Sequence, residues 1–149
     1  MSAYTTVVVG TDGSPTSYLA VERAAAVARD SDAELVIVSA YTPATREDTA
    51  DAEDALGAEA YQVRGWNPAE EALRTAEDKA AAAGARKVST LAEDGAPADV
   101  LRKAVADRGA DLLVVGNKGL NTLSGRILGS VPSDVARRSG VDVLIVHTT

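Results

Sequence analysis

The chain has 149 residues, 46% apolar and 25% charged, which is the size and balance of one folded domain. It contains no cysteine, so disulfides, thiolate metal sites and cysteine nucleophiles are excluded. A net charge of −7 repels nucleic-acid backbones, so no nucleic-acid partner is expected, and a phosphate ligand would have to be held by local backbone N–H groups rather than by a basic field.

The N-terminus runs from Met1 through Thr6 straight into a Val run, without a charged stretch followed by an apolar one, and no apolar run nears the roughly 18 residues of a membrane span. The expectation is a cytoplasmic chain with neither signal peptide nor membrane helix. Thr6–Gly10 is a short continuous apolar run that suits a strand buried on both faces of a parallel sheet. Ser14 then offers an N-cap and Pro15 a first helical residue. A helix is predicted from Pro15 to Ala28, with Leu19, Ala20, Ala24 and Val27 as its apolar stripe. Leu35–Ala40 reads as a second buried strand.

From Thr42 to Gly65 the chain is acidic and weakly periodic, with room for a short helix over Asp51–Val63. A connection of that length is functional or mobile in most compact domains, and its acids read as a solvated face rather than a metal site. Asn67 and Pro68 open a helix that Gly84 stops, and Lys87–Ala92 forms a weaker strand. Pro97 opens another helix, which turns Val100, Leu101, Ala104 and Val105 inward and ends at Gly109. Asp111–Gly116 is a fourth buried strand, Val131–Arg138 a last helix, and Val141–His147 the last strand. Alternating strands and helices predict a single α/β domain over residues 1–149, with an open, doubly wound parallel sheet and helices on both faces.

In such sheets a ligand sits beyond the C-terminal strand ends, where the strand order reverses. The first and fourth strands both end in glycine, at Gly10 and Gly116, and would frame that crevice as neighbours. Gly116 and Gly119 admit close backbone approach to a ligand. Gly129 and Ser130 precede a helix whose first N–H groups and dipole favour an anion, with Lys118 and Arg126 the nearby cations. Glycine at a strand end is also ordinary punctuation, but a loop of roughly 14 residues exceeds what a bare turn needs. Asp12 has two readings: it holds a ribose or Mg²⁺ at the mouth of the first strand, or it is a turn residue bonding its own backbone. Trp66 and Tyr41 are candidates for lining a base pocket or for plain packing. His147, the one histidine, reads as a structural or interface residue, and with no second histidine or cysteine there is no candidate transition-metal cluster and no plausible Ser-His-Asp triad. P-loop, dinucleotide and nucleophile-elbow motifs are absent.

The stretch Gly116, two residues, Gly119, nine residues, Gly129, Ser130 resembles the ATP-binding signature of the universal stress protein family. The segment from Val7 to Ser14 is similar to that family's first strand and turn, and the segment from Gly129 to Val146 to its last helix and strand, so the resemblance spans essentially the whole chain. It implies a five-stranded sheet of order 3-2-1-4-5, of the adenine nucleotide alpha-hydrolase-like kind, with ATP across the ends of the first and fourth strands. Gly10, Thr11 and Asp12 would contact the adenosine, and Ala40 would lie near the base. Gly116, Asn117, Gly119, Gly129, Ser130 and Val131 would wrap ribose and phosphates, with Mg²⁺ near Asp12 when ATP is bound. It implies a homodimer paired through Val141–His147, since an apolar sheet edge needs covering. Many ATP-binding members have Ser or Thr where this chain has Pro132, which lacks an N–H donor. The Gly-Ser-Val-Pro form is similar to short actinobacterial members associated with cyclic AMP as well as ATP.

Three functions are consistent with these residues: a nucleotide-binding regulator in stress response, a slow ATPase or other adenylate-handling enzyme, and an interaction module whose loop only connects. Fast catalysis is disfavoured because Asp12 has no paired acid or base, so no catalytic residue is assigned. A response-regulator reading fails because Asp12 is followed by Gly13 rather than by a second acid.

Overall fold

The computed structural model describes residues 3–41, 68–117 and 140–148. In chain order these form β1 (Thr6–Gly10), α1 (Pro15–Ser31), β2 (Glu34–Tyr41), α2 (Pro68–Ala82), β3 (Lys87–Asp94), α3 (Pro97–Arg108), β4 (Leu112–Gly116) and β5 (Asp142–Val146). The strands make one five-stranded sheet of order β3-β2-β1-β4-β5, parallel throughout. This is the predicted architecture. The segment from Thr42 to Asn67, with Trp66, and the helix read over Val131–Arg138 lie outside the described residues.

The Val-rich runs are continuous because the central strands are covered on both faces. Val7, Val9, Leu35, Ile37, Leu112 and Val114 face α1 and α2. Val8, Val36, Val38, Leu113 and Val115 face the other way, toward α3. Helix α3 buries Val100, Leu101, Ala104 and Val105, as its spacing predicts, and ends on Gly109 in the left-handed region at φ +63°. Two boundaries differ from the sequence reading by more than one residue. Helix α1 continues to Ser31, where Asp32 takes φ +54° and donates its N–H to the carbonyls of Ala28 and Arg29. Strand β3 continues through Glu93 and Asp94, because an edge strand exposes polar side chains to water.

The stripe predicted for α1 is corrected at Leu19, which is 47% exposed. The helix meets the sheet through Ala20, Val21, Ala24, Ala25 and Ala28 instead. Alanines spaced three and four apart let the helix axis lie close to the strands, and Leu19 is rotated about 100° off that ridge.

The N-terminal ends of the strands are tied by charge. The Asp111 carboxylate accepts from Thr5 N at 3.0 Å, Thr6 N at 3.1 Å and Thr5 Oγ1 at 3.2 Å. Asp111 N donates back to Thr6 O at 3.0 Å. On the neighbouring strand, Tyr4 Oη donates to Asp142 Oδ2 at 3.0 Å, which raises the Tyr4 pKa. Burial pushes the Asp111 carboxyl up, but the N–H and O–H donors from Thr6 and Thr5 outweigh it and hold its pKa below the usual carboxylate value. A lowered folded-state pKa stabilises the fold above the unfolded value, and that contribution disappears as pH falls through the folded one. Asp111→Asn is therefore expected to lower stability at neutral pH by about 1 kcal/mol, allowing for solvent screening. Urea unfolding at pH 7 and again at pH 3 checks this, with the gap between variant and wild type narrowing at the lower pH.

Candidate functional site

The order β3-β2-β1-β4-β5 reverses between β1 and β4, whose register pairs Val7 with Leu112, Val8 with Leu113 and Val9 with Val114. Continuing that register sets Thr11 beside Gly116. The two glycine-ended strands are thus neighbours at the reversal point, as the sequence reading requires of a crevice there, and Gly10 and Gly116 are both buried. Ala40 stands half-buried at the end of β2. Gly119, Gly129, Ser130 and Val131, together with Lys118, Arg126 and Pro132, lie outside the described residues.

The turn leaving β1 is closed by its own side chains. Thr11 N donates to Val38 O at 2.9 Å, fastening the end of β1 to β2. Gly13 N donates to Thr11 Oγ1 at 3.2 Å, and Ser14 N donates to Asp12 Oδ1 at 2.9 Å. Ser17 N donates to Ser14 Oγ at 3.2 Å, so Ser14 is the N-cap that the sequence suggests. Gly13 has φ +83°, and a Cβ there would stand 3.1 Å from the Ala72 Cβ of α2. Both the backbone angle and the neighbouring helix therefore require glycine. The turn-residue reading of Asp12 is the one that the hydrogen bonds display. The exposed Asp12 carboxylate still stands at the mouth of β1, with Oδ1 held by the turn.

These bonds decide what the turn can offer an anion. The amides of Thr11, Gly13, Ser14 and Ser17 are all engaged within the protein, and Pro15 has no N–H. Little of the donor capacity that makes helix N-termini phosphate sites is left at the start of α1.

On the far side of the crevice, Asn117 is committed to β5. Its N–H donates to Val146 O at 2.9 Å. Its Oδ1 accepts from Thr148 N and from Thr148 Oγ1, both at 2.8 Å. That leaves its Nδ2 as the donor toward His147 Nδ1 at 3.3 Å. Asn117 and Thr148 are both buried. Sequence reading did not single out Thr148 or Ser17. A polar residue near a chain end and a serine inside a helix carry no signal until the strands are paired. Among the described residues, no group of three or more His, Cys, Asp or Glu could hold a metal ion, and no helix is long and apolar enough to cross a membrane.

The profile of the universal stress protein family matches residues 3–147. The chain belongs to the universal stress protein family. A universal stress protein of Mycobacterium tuberculosis is 54% identical over 149 residues, covering 100% of both chains. A putative universal stress protein of Staphylococcus epidermidis is 34% identical, covering 99% of this chain and 87% of its own. A universal stress protein crystallised in complex with cyclic AMP is 47% identical and superposes with a TM-score of 0.77, over 99% of this chain and 100% of its own.

For this universal stress protein, Gly13→Ala is expected to cost about 1–2 kcal/mol of stability, from the left-handed φ and the crowding against Ala72. Thermal unfolding measures it. Ala72→Gly in the same chain should relieve the crowding share of the loss and leave the backbone share.

Proposed function

We propose that this universal stress protein binds an adenine nucleotide across the C-terminal ends of β1 and β4 and acts as a nucleotide-responsive regulator in stress. The observation that carries the reading is the pair of buried glycines, Gly10 and Gly116, that end β1 and β4 at the reversal point of the sheet, followed by the glycine-rich segment from Gly116 to Ser130. A 47% identical relative crystallised in complex with cyclic AMP supports it.

The distribution of free donors gives the nucleotide a direction. The amides of Thr11, Gly13, Ser14 and Ser17 are spent within the protein, so the β1–α1 turn suits the uncharged end of the ligand. There Gly10 and the Thr11 backbone form a wall, Asp12 accepts from ribose hydroxyls, and Ala40 flanks the base. The phosphates belong with Gly116, Gly119, Gly129, Ser130 and Val131, where glycines admit close approach and a helix begins. Asn117 serves the site by anchoring the start of that segment to β5. Pro132 removes one N–H donor from the phosphate turn, which favours cyclic AMP, a compact single phosphate, over ATP. With ATP, the single carboxylate of Asp12 would leave Mg²⁺ held mainly by phosphate oxygens and water.

Calorimetric titration with ATP and with cyclic AMP, each with and without Mg²⁺, tests the reading. Tighter cyclic AMP binding that is indifferent to Mg²⁺ is the expected result. Binding of neither nucleotide would return the glycines to the role of chain punctuation.

The same reading makes the protein a homodimer paired through Val141–His147. Strand β5 is a sheet edge, and Ile145 on it is 46% exposed. Sedimentation should show a dimer for the wild type and a monomer for Ile145→Lys. A monomeric wild type would remove the dimer.

A further inference from the structure

Ser17 lies one helical turn into α1 and is 1% exposed, while Thr11, six residues before it, is 0% exposed. Their hydroxyl oxygens are 2.7 Å apart. Ser17 Oγ also donates to Ser14 O at 2.8 Å. A serine hydroxyl has one hydrogen, so the bond to Thr11 must run the other way, with Thr11 Oγ1 donating and Ser17 Oγ accepting. Thr11 Oγ1 in turn accepts from Gly13 N at 3.2 Å. The result is one directed chain: Gly13 N–H to Thr11 Oγ1, Thr11 O–H to Ser17 Oγ, and Ser17 O–H to Ser14 O. It begins and ends on the backbone of the turn that carries Asp12, and both hydroxyls are consumed inside it.

From this chain we propose that Ser17 is a positioning residue of the nucleotide site, acting through the Thr11 hydroxyl to hold Asp12 and Gly13 in their binding geometry. The proposal rests on the nucleotide-binding reading given above. Thr11 then serves the ligand through its backbone only, since its hydroxyl faces Ser17 rather than the crevice. The capping of α1 does not account for Ser17, because Ser14 already caps the helix. A serine is required here because it both accepts from Thr11 and donates to Ser14. Alanine does neither and leaves the Thr11 hydroxyl buried without an acceptor, a state a protein escapes by rotating the side chain and releasing Gly13 N.

The test is a double-mutant cycle with Ser17→Ala, Thr11→Val and both together, titrated with cyclic AMP and with ATP at a temperature where circular dichroism shows every variant folded. Each single variant is expected to bind about tenfold more weakly than wild type. The double variant should bind no more weakly than the singles, because one chain is broken in all three. Amide exchange of Gly13 and Ser14 in the nucleotide-free protein should be at least about tenfold faster in Ser17→Ala, which separates a loosened turn from a general loss of stability. Ser17→Ala binding as tightly as wild type, or a double variant whose losses simply add, overturns the proposal. A wild type that binds neither nucleotide overturns the site reading and this proposal with it, and the exchange rates then report only whether Ser17 holds the turn.

Discussion

The pairing of β1 with β4 is the constraint on which the rest of the molecule depends. These strands are the most deeply buried, and the strand order reverses between them. A strand buried on both faces has no freedom to slip, since a shift of one residue would exchange every side chain between two filled cores. The register from Val7 to Val9 against Leu112 to Val114 is therefore rigid. Its two ends are treated differently. At the N-terminal end, Asp111 closes the gap with three donors from Thr5 and Thr6. At the C-terminal end, no side-chain bond joins Thr11 to Gly116 among the described residues. The side-chain tie between these strands lies at one end of the sheet, and the binding surface proposed for the protein lies at the other.

That separation bears on how an acidic protein would hold the anionic ligand proposed for it. With a net charge of −7, long-range attraction is unfavourable, and affinity must come from short-range directed donors. Backbone amides are the natural source, but each is useful only if the protein has not already consumed it. The β1–α1 turn consumes those of Gly13, Ser14 and Ser17 through the side chains of Thr11, Asp12 and Ser14. Such a turn is stiff and presents a shape and one carboxylate, which fits recognition of a sugar and base. In the proposed reading, the donor-rich work falls to the glycine-rich segment.

Much of this was legible in the sequence. Continuous Val runs between helical segments gave a parallel sheet, and two glycine-ended strands pointed to the crevice before any pairing was known. The family resemblance supplied the strand order. Local rules also served well where the partners are local, as with Ser14 capping Ser17 and Gly109 ending α3. They failed where the partner is distant in sequence. Asp111 looks like the first residue of a strand, and nothing in its neighbourhood points to Thr5, because the bond exists only after β1 and β4 have paired. Asn117 looks like a loop residue beside a ligand, yet its amide is spent on Thr148 and His147 at the end of the chain. Leu19 failed for another reason. Hydrophobicity alone places leucine on the core face, whereas close helix–sheet approach selects alanine.

The position of Asn117 has a mechanical consequence. It is the first residue after β4, so it sets the origin of the glycine-rich segment. It is also bound by backbone to Val146 and by side chain to Thr148, so it holds the end of the edge strand. One buried amide thus belongs to both the crevice and the sheet edge. A displacement of the backbone at Asn117 must either carry Thr148 with it or break two hydrogen bonds to Oδ1 in a buried setting, where an unpaired acceptor is costly. Moving the two together costs less than separating them. The crevice and the edge strand are mechanically one unit, and the sheet transmits between them over a single strand spacing.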